Sequence, residues 1–117
     1  MSISSLSEDD IVAIADPIMD RLMVASTAID YEQHIADFTP RLKRMLSADR
    51  FESICKEYQQ EKGVFAEREL VAIFKRTDSV AIVWRQKFTL AQGDYVAEMV
   101  LVEGDDGRYL CDHVMVF

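Results

Sequence analysis

At Gly63 the spacing of apolar residues changes, from steps of three and four to steps of two. A helix repeats every 3.6 residues and a strand every two, so no single element can span that point. The chain therefore divides into a helical first half and a β second half, with the glycine as the stop between them.

Within the first half, Ser7 and Asp10 have capping-box spacing, and three acids in the first turn suit the positive end of a helix dipole. Ile11, Ile14, Ala15, Ile18, Leu22 and Ala25 then line one face. Pro17 either kinks a helix running to about Ala28 or, with Asp16 as cap, restarts one; a single kinked helix is favoured. Asp30 can cap a short helix over Tyr31–Phe38, and Thr39-Pro40 opens another turn with Leu42, Met45 and Leu46 inward. Ser47 caps a last helix with Phe51, Ile54, Cys55 and Tyr58 as its apolar stripe, and Lys62-Gly63 closes it.

Four alternating runs follow, at Val64–Arg76, Val80–Leu90, Tyr95–Glu103 and Arg108–Phe117, separated by Thr77-Asp78-Ser79, Gln92-Gly93 and Gly104-Asp105-Asp106-Gly107. Short polar turns join antiparallel neighbours, so the runs predict a four-stranded meander. The expected architecture is one α+β domain over residues 1–117, helices about 7–62 and sheet about 64–117, with the helices on one sheet face. A chain of this length buries enough surface for one core without staples.

Charge narrows the function classes. The net charge is −8, and residues 1–37 carry eight acids against Arg21 alone. Such a surface repels phosphate backbones, which disfavours nucleic acid as a partner. The first residues lack the basic and apolar regions of a signal peptide, and no apolar run approaches the ~18 residues of a membrane span. Cys55 and Cys111 lie far apart without CxxC spacing, as two small core residues of a reducing compartment would. A cytoplasmic protein without membrane contact, metal or cofactor is expected.

Turn lengths suggest a register. Closing the middle hairpin places Leu90 opposite Tyr95, hence Trp84 opposite Leu101 and Lys87 opposite Glu98. Closing the last places Glu103 opposite Arg108, hence Val100 opposite Cys111 and Glu98 opposite His113. One face then carries Ile82, Trp84, Phe88, Leu90, Tyr95, Ala97, Met99, Leu101, Leu110, Val114 and Val116, the floor of the core. The other carries Val83, Val96, Val100, Val102, Tyr109, Cys111 and Met115 around a polar row of Lys87, Glu98 and His113. A monomeric antiparallel sheet normally shows water a polar face, so this second face predicts a homodimer packed through it.

Helices followed by a meander that ends in Asp106-Gly107-Arg108-Tyr109 resemble the cystatin-like cone folds, specifically the nuclear-transport-factor-2-like superfamily, over about Asp9 to Phe117. The resemblance implies a cone-shaped α+β fold, frequent homodimers and a pocket between sheet and helices. Members include isomerases, dehydratases and binding modules. The isomerase-like members resemble one another in a pocket acid with tyrosine and aspartate donors, and no such set can be matched here. Cystatin inhibitors carry a QxVxG loop where this chain has Gln86-Lys87-Phe88-Thr89-Leu90, which disfavours protease inhibition.

Among single residues His113 is the foremost candidate: a histidine beside Glu98 and Lys87 could exchange protons near neutrality. The plainer account is a cross-strand ion pair worth about 0.2–1 kcal/mol. Lys87, Glu98, Tyr109 and His113 together are the expected ligand-binding group, with His113 and Glu98 its only catalytic candidates. His34 reads as a partly exposed surface histidine. His113 and Asp112 cannot share a metal, because adjacent strand residues point to opposite faces. Three functions follow in order: a binding or protein-interaction module, holding a small apolar ligand between sheet and helices; an acid–base isomerase or lyase; and a partner binder similar in size and charge to acidic secretion chaperones, which usually close on a helix rather than a strand.

Overall fold

A computed structural model describes residues 2–117. After a 3-10 turn at Ile3–Ser5 come four helices, α1 (Glu8–Ala28), α2 (Tyr31–His34), α3 (Pro40–Met45) and α4 (Ala48–Lys62), and four strands, β1 (Phe65–Lys75), β2 (Ser79–Phe88), β3 (Tyr95–Glu103) and β4 (Tyr109–Val116). The strands pair antiparallel in sequence order. The expected fold class holds, and α2 is shorter than the sequence suggests.

Local chemistry sets each helix start. The Ser7, Asp30, Thr39 and Ser47 side chains accept from the amides of Asp10, Gln33, Leu42 and Arg50, satisfying donors that have no partner inside the helix. Pro17 lies inside an uninterrupted α1. Ile11, Ala15, Ile18 and Leu22 of its predicted stripe, joined by Met19, pack on Val80, Ile82, Trp84, Ala97, Met99 and Leu101 of the sheet. Trp84 is 2% exposed within this cluster, to which Phe51 and Cys55 of α4 do not belong. Arg68 of β1 ties the sheet to α1: its guanidinium reaches Asp16 and Asp20 at 3.1 and 2.9 Å and lies 5.4 Å from the Trp84 ring.

Both predicted hairpin registers are corrected. In the middle hairpin Trp84 pairs with Ala97 and Val83 with Glu98, four residues away from the expected register. The amides of Thr89, Leu90 and Ala91 donate to the carbonyls of Val64 and Lys62, so the chain leaves β3 to bind the α4–β1 junction. Leu90 is thereby left 71% exposed rather than in the core. An even shift keeps every side chain on its expected face, so the rest of that face reading stands. The last hairpin contains an irregularity: Val100 pairs with His113 but Leu101 with Cys111, leaving Asp112 as an extra residue. Such a bulge reverses the faces on one side of itself. Cys111 and Tyr109 therefore point to the core and Leu110 away from it, the opposite of the sequence reading.

Asp112 is held outside the ladder by its own partners. Thr39 Oγ1 and Arg41 Nε donate to its carboxylate at 2.8 and 3.0 Å, and Arg41 also reaches its carbonyl. Burial raises the Asp112 pKa, but the hydrogen bonds from Arg41 and Thr39 outweigh it and hold the acid below its ordinary value. Alongside, the Asp37–Thr39 segment bonds the free edge of β4 through the Cys111 amide and carbonyl, at 2.7 and 2.9 Å.

Candidate functional site

The short α2 and α3 leave one end of the sheet incompletely covered, and α4 closes over it at a distance. A cavity of about 560 Å³ results between α4 and the ends of the strands. Its floor is aromatic: Phe65 lies 5.1 Å from Phe88, Phe88 lies 5.0 Å from Tyr95, and Tyr58 of α4 stands 5.2 Å from Phe65. Leu42 and Leu46 wall it from the α3 side, and the exposed side chains of Met45, Arg50, Ile54 and Phe117 mark its rim. The volume and the apolar lining are those of a small-molecule site, where a few polar groups orient an otherwise hydrophobic ligand.

Those polar groups are specific. Ser26 and Tyr58 share a hydrogen bond at 2.7 Å, and the Cys55 thiol lies 3.4 Å from the same serine. Burial raises the pKa of both Cys55 and Tyr58, so neither is set up as a nucleophile or base at neutral pH. His34 is the informative one. Its Nδ1 lies 3.2 Å from the Leu22 carbonyl, which only accepts, so Nδ1 carries the proton and Nε2 is left with a lone pair when the ring is neutral. The ring rests on Phe51 at 4.4 Å and meets Phe38 edge-on at 5.4 Å. Burial lowers its pKa below 6.5, outweighing the Leu22 carbonyl, which favours the protonated ring.

A lowered folded-state pKa means that the unfolded chain takes up the proton first, so His34 reduces stability as pH falls through 6.5 and has no such effect above it. His34→Phe, which keeps the aromatic stacking, should therefore gain stability relative to the parent between about pH 7.5 and about pH 5 in urea unfolding. A difference that is the same at both values would show that His34 does not titrate as a buried group.

The residues singled out in the sequence lie differently. His113 Nε2 and Glu98 Oε2 are 2.6 Å apart on the outer sheet face, a diagonal contact, since Glu98 pairs with Met115. Lys87 does not join them. The shifted register puts it beside Asp94, which it binds and whose pKa it lowers, and Arg85 bridges Asp94 and Glu69. Tyr109 lies on the core side of the bulge and packs against the central cluster. Of the four expected ligand-binding residues only His113 borders the cavity. His34, read as a surface residue, lies in its wall because the Asp30-capped turn folds back over α4. Tyr58 was visible as part of the α4 stripe, but nothing in its spacing separates a cavity residue from a core one. Gln86, named above only against the cystatin loop, is fully buried between Trp84 and Phe88, and its amide donates to the carbonyls of Ala66 and Lys87 beside an irregularity in β1.

No family model and no curated protein sequence matches the chain significantly. Solved structures do match in shape. A protein from Catenulispora acidiphila, in complex with S-DNPA, aligns with a TM-score of 0.62 at 16% identity, over 93% of this chain and 93% of its own. A putative calcium/calmodulin-dependent protein kinase type II association domain from Thiobacillus denitrificans aligns at 0.63 and 14%, over 87% and 92%. A ketosteroid isomerase-like protein from Erwinia carotovora atroseptica aligns at 0.58 and 12%, over 95% and 96%. The likeness shows an α+β fold with helices over an antiparallel sheet, in keeping with the expected nuclear-transport-factor-2-like layout. At these identities the likeness is one of fold and carries no residue of the site with it. Among the described residues no helix is long and apolar enough to cross a membrane, and no cluster of histidine, cysteine and acid side chains has metal-binding geometry.

Proposed function

We propose that this protein is a small-molecule-binding module whose ligand occupies the cavity between α4 and the sheet. The observation that carries the reading is the cavity itself: about 560 Å³ of largely apolar, aromatic-floored space with a handful of oriented polar groups. A concave, mostly apolar space of this size with a few convergent polar groups is the usual form of a small-molecule site. A ligand at about 100 times its Kd adds about 2.7 kcal/mol to stability, which raises Tm by several degrees in a domain of this size. Thermal shift against a library of small aromatic and aliphatic compounds should yield such binders, and Leu42→Trp, which fills the cavity from the α3 side, should abolish their shifts while far-UV circular dichroism is unchanged. Binders that shift the parent and the filled variant equally would place the ligand elsewhere.

An isomerase or lyase is the second reading, favoured by the neutral His34 with its Nε2 lone pair in the cavity wall. It is the weaker one, because acid–base chemistry of that kind uses a paired acid, and no aspartate or glutamate side chain lines the cavity among the described residues. His113 borders the cavity from β4 and is paired with Glu98, but Glu98 itself lies on the outer sheet face, outside the lining.

That outer face belongs to a second copy of the chain in this reading. Phe74, Val83, Val96, Val100, Val102 and Met115 lie on it, with Phe74 and Met115 57% and 51% exposed. The helices already cover the other face. A stable pair would bury about 1,200–2,000 Å² in total. Sedimentation at micromolar concentration should find a dimer; a lone species of 13.4 kDa would leave this face to another partner.

A further inference from the structure

The chain carries 21 acids and 13 bases, yet the fully charged side chains at the cavity are both basic, Arg50 and Lys62. They are not equivalent. Lys62 lies 3.6 Å from the neighbouring Glu61 carboxylate and 5.8 Å from the Tyr95 ring. The Arg50 guanidinium makes no ion pair and no hydrogen bond among the described residues; only its backbone amide is engaged, with Ser47. It stands at the rim next to Phe51, whose ring forms part of the wall with His34. Both bases are on α4, and their separation of 12 positions places them about 18 Å apart along the helix axis, so they serve opposite ends of the cavity.

We infer that the cavity takes an amphipathic organic carboxylate, its anionic group on the unpaired guanidinium of Arg50 and its aromatic or aliphatic body along the Phe51–His34 wall that leads from there into the cavity. This rests on the binding reading above and adds the ligand's charge and orientation. A planar guanidinium offers parallel N–H donors that match the two oxygens of a carboxylate, which a lysine ammonium does not. A cation beside an apolar wall also discriminates by sign: a neutral ligand of the same shape forgoes the ion pair, and a cationic one meets repulsion as well. The acidic surface elsewhere makes an anion's approach slower, so the selectivity resides in the site and not in long-range steering.

The test uses three bodies (naphthyl, biphenyl and dodecyl), each as carboxylic acid, primary amide and amine, titrated by isothermal calorimetry at low salt. The acid of at least one body should bind about tenfold or more tighter than its amide and tighter still than its amine. In Arg50→Gln the preference for acid over amide should fall to about threefold or less, while the amide's own affinity stays within about twofold of the parent value. Amides or amines binding as well as acids would overturn the anionic assignment and leave the binding module standing. A preference that survives Arg50→Gln and vanishes in Lys62→Gln would overturn the orientation. Failure of all nine compounds at about 1 mM would overturn both readings together. Arg50 is exposed and has no side-chain partner, so the fold does not depend on it.

Discussion

Trp84→Ala should lower the unfolding free energy by about 3–5 kcal/mol, the largest loss expected from any single substitution in this chain. The indole is 2% exposed and is surrounded by α1 and the neighbouring strands, so its removal leaves a void that the packed interior cannot close. The Arg68 guanidinium 5.4 Å from the ring loses its aromatic surface as well, and its Nε, already buried without a hydrogen-bond partner, gains nothing in return. Domains of this size have about 5–15 kcal/mol in all, so the variant would be marginal at room temperature and measurably unfolded in low urea. Circular dichroism is the appropriate probe, because the substitution removes the only tryptophan. In the parent the same burial should blue-shift tryptophan emission. A loss below about 1 kcal/mol would mean that the indole is not part of the cooperative core.

Gly63→Ala should cost about 2–4 kcal/mol, although it adds a single methyl group, because Gly63 is buried at the end of α4. With φ 83° and ψ −149°, Gly63 occupies a backbone region that is essentially closed to any residue with a Cβ. The Cβ would also lie 2.2 Å from Thr89 Oγ1, 2.9 Å from Leu90 Cγ and 3.1 Å from the Leu90 amide nitrogen. Those atoms cannot simply withdraw. Thr89 Oγ1 accepts from the Val64 amide at 3.0 Å, and the Leu90 amide donates to the Lys62 carbonyl at 3.0 Å. Gly93→Ala is the control: its φ is +100°, but nothing lies within 4 Å of the added carbon, so only the backbone cost of about 1 kcal/mol applies. Equal losses at the two positions in urea unfolding would refute the steric part of the account.

What was legible in the sequence was whatever local chemistry governs. Caps at Ser7, Asp30, Thr39 and Ser47, the stop at Gly63, the α1 stripe and the alternation of β2 and β3 are each set by residues within a turn or two of one another. Such signals fix element type, and through it the α+β class and the meander, without knowledge of what packs where. The core faces of β2 and β3 followed too, because a register error of four residues leaves side chains on the same side of the sheet.

The site was decided elsewhere. Whether Tyr109 looks inward depends on one extra residue, Asp112, and Asp112 is extra because Thr39 and Arg41, some seventy residues earlier in the chain, hold its carboxylate outside the ladder. Lys87 parts from Glu98 because residues 89–91 find hydrogen-bond partners at the end of α4 rather than in a tight turn. The cavity depends on how far α3 and α4 stand from the sheet, a matter of helix placement that no periodicity encodes. Position along the chain determined which elements form; contacts between distant segments determined which side chains meet, and only those contacts turn an apolar stripe into the wall of a binding site.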